Sequence, residues 1–306
     1  MSFRSGFVAI IGRPNAGKST LVNALVGKKI AIVSPRPQTT RNRIQGIVNR
    51  EDAQIILIDT PGLHHASNAL SRQMMDEVRQ AVEGIQILSL IVDATAAFGA
   101  GDRVALDWVR QFHGTKFLLL NKIDRVAKPD LLPLIDRYQR EVKFDEIFPV
   151  SALTGDGLDD LVKSWISYLP EHPPYFPEDQ FTDQPERFLA AEYIREKAIA
   201  ATREEVPHSI AVIVDSFEET EKLLRIRATI YVEKDGQKGI LIGKGGETMK
   251  KIGSEARREL EELLGIKIFL ELFVKVQPNW RQRGPLVRQL DWRRQLEGLS
   301  EPEEPE

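Results

Sequence analysis

The strongest chemical signal in this 306-residue chain is an eight-residue run near its N-terminus. Gly12-Arg13-Pro14-Asn15-Ala16-Gly17-Lys18-Ser19 fits the pattern GxxxxGK[ST], between a β-branched apolar run and a helical one. The two glycines let the backbone curl so that its N–H groups, Ala16 and Gly17 included, point inward at phosphate oxygens, and the dipole of the following helix reinforces them. The chemistry is phosphate binding. Lys18 would reach the β- and γ-phosphates, the Ser19 hydroxyl would ligate Mg²⁺, and Thr20 extends the run onto the helix.

Three later segments complete a site if the fold gathers them. Asp59-Thr60-Pro61-Gly62 follows an apolar strand; there a carboxylate can hold Mg²⁺ through water while the Gly62 N–H meets the γ-phosphate. Asn121-Lys122-Ile123-Asp124 distinguishes bases: the Asp124 carboxylate can accept hydrogen bonds from guanine N1–H and the exocyclic amine, which adenine does not offer in that arrangement. Asn121 would meet guanine N7 and Lys122 would lie along the ring. Ser151-Ala152-Leu153 would supply a backbone N–H for guanine O6.

These segments need strands to deliver them. Phe7–Gly12, Gln54–Asp59, Ile87–Asp93, Phe117–Asn121 and Ile147–Ser151 read as buried strands; Lys18–Val26, Ala69–Val82, Arg103–Gln111, Leu131–Arg140 and Leu158–Tyr168 read as helices. Such alternation predicts an α/β domain with a mostly parallel sheet and helices on both faces. Arg43–Asn49 is expected to pair antiparallel with Gln54–Asp59.

The motifs in this order resemble the translation-factor-like P-loop GTPases over about residues 5–168. The resemblance implies bound GTP or GDP with Mg²⁺, and switch loops at about 33–42 and 60–70. Thr40 of Thr39-Thr40-Arg41 is the expected Mg²⁺ ligand from the first switch, and Lys18, Thr40 and Gly62 are the expected catalytic set. Many small GTPases carry a glutamine directly after DxxG to orient the attacking water, but here that position is Leu63. Three routes stay open: a residue elsewhere in the switches, a partner acting in trans, or a monovalent cation. Asn15 looks like the asparagine that holds K⁺ in related GTPases, or it only shapes the loop.

Farther along, the order becomes helix (about Pro185–Arg203), strand (Ser209–Ser216), strand (Leu224–Glu233), a helical region Gly239–Leu264, and strand (Lys267–Val276): a smaller α+β module. Ile242-Gly243-Lys244-Gly245-Gly246 is a GxxG after apolar residues and before an amphipathic helix, with Lys250 and Lys251 beside it. This resembles a KH domain, whose loop clamps about four nucleotides by their backbone, the lysines neutralising phosphate. A second GxxG, Gly236–Gly239, is read as a hairpin turn. Trp280 and Trp292 lie among Arg281, Arg283, Arg288, Arg293 and Arg294, and are expected either to stack unpaired bases or to cover the module's core.

Composition sets the outer limits. The chain has no cysteine, which removes disulfides, thiolate zinc sites and cysteine nucleophiles, and only five histidines. The N-terminal apolar run is too short for a signal peptide and the longest apolar stretch too short to span a bilayer, so a cytoplasmic location is expected. The formal charge of −3 conceals segregation: residues 1–50 carry nine Lys/Arg and no Asp/Glu, residues 222–294 carry 17 basic and 9 acidic groups, and 295–306 adds five Glu. Five prolines between Pro170 and Pro185 mark a linker. The expected organisation is a GTPase domain at 1–169, a linker at 170–184, a KH-type domain with a basic extension at 185–294, and an acidic tail at 295–306.

A guanine-specific P-loop domain followed by such a module is similar to the Era GTPases of bacteria and organelles over nearly the whole chain. That resemblance implies a switch protein in 30S subunit maturation, whose KH domain binds small-subunit ribosomal RNA near its 3′ end; a monomer is expected. It also implies peripheral association with the inner membrane. The alternative is an RNA-binding assembly factor that holds GTP without useful hydrolysis.

Overall fold

The computed structural model describes residues 2–64, 67–203, 206–282, 284–291 and 293. The chain divides into two compact units, residues 1–66 with 73–183 and residues 67–72 with 184–306.

Through Tyr168 the order is β1 (Arg4–Ile11), α1 (Lys18–Val26), β2 (Ile44–Arg50), β3 (Ala53–Asp59), α2 (Ala69–Ala81), β4 (Ile87–Asp93), α3 (Ala100–Gln111), β5 (Thr115–Asn121), α4 (Lys128–Glu141), β6 (Glu146–Val150) and α5 (Leu158–Tyr168). The six strands form one sheet in the order β2-β3-β1-β4-β5-β6, and only β2 runs antiparallel. The interior strands are apolar on both faces because helices cover both: Ile55, Ile56, Leu57, Leu118, Leu119 and Leu120 are fully buried. Each contributes roughly 1.5–3 kcal/mol by leaving water. The ends of β1, β3, β4 and β5 thus hold their polar loops on one rim, where ligands of open α/β sheets bind.

The Pro-rich stretch lies along this unit in extended form. The Ser5 N–H donates to the Pro170 carbonyl, His172 N–H to Phe3, and Ile47 N–H to Phe181. Gln54, wholly buried in β3, accepts the N–H groups of Tyr175 and Phe176 and donates to the Phe176 carbonyl. Prolines suit a segment whose partners need only some of its N–H groups.

The basic N-terminal run is largely consumed internally. Arg4 donates to the Ser167 and Leu169 carbonyls, Arg13 pairs with Asp102, Arg43 reaches the Gln80 carbonyl, and Lys28 lies 4.0 Å from the centre of the Phe181 ring.

The second unit holds α6 (Glu186–Ala200), α7 (Val206–Ser209), β7 (Ala211–Glu219), β8 (Leu224–Val232), α8 (Asp235–Ile242), α9 (Glu247–Leu264), β9 (Ile268–Val276) and α10 (Gly284–Gln289). Its sheet runs β7-β8-β9, with β7 antiparallel and β9 parallel to β8. Ile194, Ile226, Ile230, Leu241, Ile252, Ala256 and Leu260 meet in its core. One expectation is corrected here. Gly236–Gly239 is no hairpin turn but the body of α8, and the helical region anticipated from Gly239 to Leu264 is two helices broken at the GxxG loop. Glycine costs about 1 kcal/mol in a helix relative to alanine, but buried Leu241 and Gln237 anchor α8 on the opposite side.

Candidate nucleotide site and nucleic-acid groove

The P-loop begins where β1 ends, and Gly17 makes the turn into α1. Its φ is 101°, and a Cβ there would stand 2.1 Å from Nδ2 of Asn121. Only glycine permits this approach. The Asn121 amide uses it to brace two loops: Nδ2 donates to the Ala16 carbonyl at 2.8 Å, and Oδ1 accepts the Ala152 N–H at 2.9 Å. Asn121 is thus first a brace, with a second amide hydrogen left for guanine N7. Ser151 donates to Asp124 at 2.6 Å and fixes the carboxylate that would read guanine. Lys122 lies between Asp93, at 2.6 Å, and the Asn15 carbonyl, at 2.9 Å; Asp93 had no place in the sequence-based set. The Lys122 ammonium holds the Asp93 carboxyl below its ordinary value against the opposing effect of partial burial. The Leu153 side chain is exposed.

The phosphate end is a cavity of about 420 Å³ lined by the P-loop, the segment from Ile32 to Thr40, Gly62 and Lys122. Lys18 is almost fully buried and donates to the Gly12 and Arg13 carbonyls. Burial pulls its pKa down to about 8, with Asp59 opposing. Burial pushes Asp59 up to about 6, resisted by the Lys18 charge and by hydrogen bonds, the Ser19 hydroxyl foremost. Ser19 donates to Asp59 Oδ2 at 2.6 Å and lies 2.9 Å from the Thr40 hydroxyl, so three segments distant in sequence share one corner.

That corner fits Mg²⁺. Asp59 Oδ1 is buried without a hydrogen-bond partner, next to two hydroxyls, an oxygen-donor set suited to a small hard dication. Among the described residues no group of three or more His, Cys, Asp or Glu could hold a metal, so water and phosphate would complete its coordination. Asn15 has a φ of 63°, and its amide donates to the Pro35 carbonyl at 2.8 Å. Leu63 is buried, its N–H bonded to the Gly12 carbonyl.

In the second unit Gly243 ends α8 with φ 73°, where a Cβ would meet the Thr248 hydroxyl at 2.2 Å. The loop Lys244–Gly246 turns once and starts α9, whose first turn lies beside a groove of about 780 Å³. Ile242, Gly246, Met249 and Lys250 line one wall, and β9, the edge strand, forms the other. Lys244, Gly245 and Lys251 sit in the loop or beside it, the two lysines exposed. Gly253, Ser254, Arg257, Phe269 and Phe273 also line the groove and escaped sequence reasoning; the phenylalanines are nearly half exposed. Their signal was two aromatics on the outward face of an alternating strand, legible only once that strand is known to be an edge.

One residue expected to touch RNA does not fit that role. Trp280 is fully buried with its indole N–H donating to the Ser209 carbonyl, so it belongs to the core and has no free face for a base. Arg281 is held in a two-pronged ion pair with Glu233, at 3.2 and 2.5 Å. Arg283, Trp292, Arg294 and the acidic tail lie outside the described residues.

Comparison with known proteins decides the family. A family model described as 50S ribosome-binding GTPase matches residues 7–122, and a KH domain model matches 205–281. The crystal structure of Era in complex with MgGDPNP and nucleotides 1506–1542 of 16S ribosomal RNA is 41% identical, covering 95% of this chain and 99% of that one with a TM-score of 0.91. The chain belongs to the Era family. A structure of an Aquifex aeolicus Era variant bound to GDP·AlF4⁻ matches with the same identity, coverage and TM-score. Era-family membership makes this chain a GTPase, with a P-loop domain of mostly parallel sheet followed by a KH domain.

Proposed function

We propose that this protein binds GTP with Mg²⁺, hydrolyses it to GDP and phosphate, and uses the nucleotide state to control an RNA-binding KH module that acts on the small ribosomal subunit. The observation that carries the reading is the corner where Ser19, Thr40 and Asp59 meet. There a γ-phosphate-bearing nucleotide would be coupled to the first switch loop through Thr40. When bound, Mg²⁺ would neutralise charge on the β- and γ-phosphates, held by Ser19 and Thr40, with Asp59 acting through water. Lys18 would leave the Gly12 and Arg13 carbonyls for the phosphates, while Asp124, fixed by Ser151, selects guanine. K⁺ at Asn15 is a further proposal, tested by comparing turnover in K⁺ and Na⁺.

For the RNA, the GxxG loop and the apolar groove beside β9 suit single-stranded nucleotides. We take the 3′ end of 16S ribosomal RNA as the target because a relative 41% identical over nearly the full chain is bound to that segment. This favours the small subunit over the large one in the family model's description. Association with the inner membrane, implied by resemblance alone, is proposed as peripheral: among the described residues no helix is long and apolar enough to cross a membrane. The protein is proposed to act as a monomer in the cytoplasm. Single-turnover GTP cleavage with and without small subunits, with crosslinking and sequencing of bound RNA, tests the reading. Cleavage accelerated by the subunit and reads concentrated at the 16S 3′ end are expected; GTP bound but never cleaved would favour the alternative of an assembly factor without useful hydrolysis.

A further inference from the structure

We propose that Gln38 orients the water that attacks the γ-phosphate, the task Leu63 cannot perform; this rests on the reading that the protein hydrolyses GTP. Polar side chains line much of the phosphate cavity. Asn15 donates to Pro35, Ser34 accepts the Arg36 N–H, and Thr39 donates to the Arg36 carbonyl. Ser19 and Thr40 face each other at the cation corner, and Thr20 sits on α1. Arg36, Lys18 and Lys122 carry donors only and cannot accept a hydrogen bond from water. His64, next after Leu63, bonds the Gly62 carbonyl through Nδ1; its buried Nε2 has no hydrogen-bond partner, but His64 is not among the residues that line the cavity. Gln38 lines the cavity and, among the described residues, its amide has no protein partner.

Its backbone supports the assignment. Gln38 has a φ of 61°, a left-handed conformation that costs a residue with a Cβ and is typical of functional loops. The Thr39 hydroxyl closes a tight turn on the Arg36 carbonyl at 2.6 Å, and Thr40, two residues after Gln38, is bonded to Ser19. The loop is therefore tied on its C-terminal side to the corner where the γ-phosphate would lie, with Gln38 inside the tie.

In the step, the water oxygen bonds to the γ-phosphorus, and the bond from phosphorus to the β–γ bridging oxygen breaks, its electron pair leaving on GDP. The water's proton passes to the released phosphate. The Gln38 amide oxygen accepts one water hydrogen and aims the lone pair without taking the proton.

The test uses the full chain with Mg²⁺ and K⁺, comparing wild type with Gln38→Ala and Gln38→Glu in single-turnover GTP cleavage, GDPNP affinity, and trapping of GDP·AlF4⁻. Gln38→Ala is expected to keep GDPNP affinity within about twofold, to lose about 100-fold in cleavage rate, and to fail to trap GDP·AlF4⁻ where wild type does; Gln38→Glu should retain part of both. Wild-type cleavage and trapping by Gln38→Ala would overturn the proposal, as would equal losses of GDPNP affinity and rate, which mark a loop-folding role. A wild-type protein that binds GDPNP yet never cleaves GTP would overturn the parent reading and this proposal with it, an outcome distinct from a loss confined to the variants.

Discussion

The two units solve recognition in opposite ways. In the nucleotide site most polar side chains are already bonded to protein: Asn121 joins two loops, Ser151 holds Asp124, Lys122 holds Asp93, and Ser19 binds Asp59. The groove of the KH module is lined mainly by glycines, an edge strand and apolar side chains, with Ser254, Arg257 and Lys250 as its polar members and exposed lysines beside it. A buried polar site must be satisfied before its ligand arrives, because each orphaned group costs roughly 1–3 kcal/mol. An RNA groove that reads backbone and stacks bases needs little such preparation. The difference explains why the first can discriminate one purine from another, and why the second's specificity is hard to read from side chains.

The sharpest way to break this contrast is at Asp124. Asp124→Asn should weaken GTP binding by about 10⁴-fold, because a site built to accept both guanine donors rejects a mismatched partner by that much, and an amide oxygen with an NH₂ beside it cannot accept both. Xanthosine triphosphate, which offers a carbonyl where guanine has an amine, should bind the variant better than GTP does; titration with labelled nucleotides measures both, and unchanged GTP affinity would sink the guanine assignment.

Next in size is the loop of the second unit. Replacing Gly243 and Gly246 together by Asp puts side chains where φ is 73° and 84° and brings negative charge to the phosphate path. RNA affinity should fall by at least about 100-fold while GTP turnover without RNA is unchanged. Single replacement of Lys244 or Lys250 by Ala should lower the salt dependence of RNA binding by about one phosphate contact. Surviving RNA affinity in the double variant would make the loop structural.

The titration of the phosphate corner gives a gentler probe. Asp59 must be charged to hold Mg²⁺, and its pKa of about 6 means that it becomes protonated as pH falls through that value. Mg²⁺·GTP affinity should therefore drop by up to tenfold per pH unit below about 6. Lys18, with a pKa near 8 before the ligand arrives, loses its charge as pH rises and weakens phosphate binding above that value. Affinity measured from pH 5 to 9 should show a plateau between the two, and Asp59→Asn should abolish the acidic limb.

The smallest expected change is at Trp280. Trp280→Phe should leave RNA affinity within about twofold while lowering the thermal midpoint, and Trp280→Ala should cost about 3–5 kcal/mol of stability. A large loss of RNA affinity in a Trp280→Phe protein of unchanged stability would return the residue to the groove.

The nucleotide site was legible because its backbone and its chemistry are local. Strand, Gly-rich turn and helix follow one another in a single run, and the remaining motifs each end a strand of the same sheet, so Gly12 to Ser19, Asp59 and Asn121 to Asp124 could be named from spacing alone. The second unit was read less well for an identifiable reason. Gly236 and Gly239 suggest a turn until Leu241 is seen buried against the core, and Trp280 among arginines suggests a stacking platform until its indole reaches Ser209, 71 residues earlier.

Sequence alone determined the order of the domains, the identity of the nucleotide-binding loop and the preference for guanine, since all three rest on short runs whose residue types are dictated by local geometry. Only the tertiary structure decided which polar side chains are already spent. It placed Asn121 as a brace, tied Arg281 to Glu233, buried Leu63 and set Gln38 in the lining of the phosphate cavity. The physical reason is that hydrogen-bond satisfaction is a property of neighbours in space, and these neighbours come from parts of the chain that no spacing rule connects.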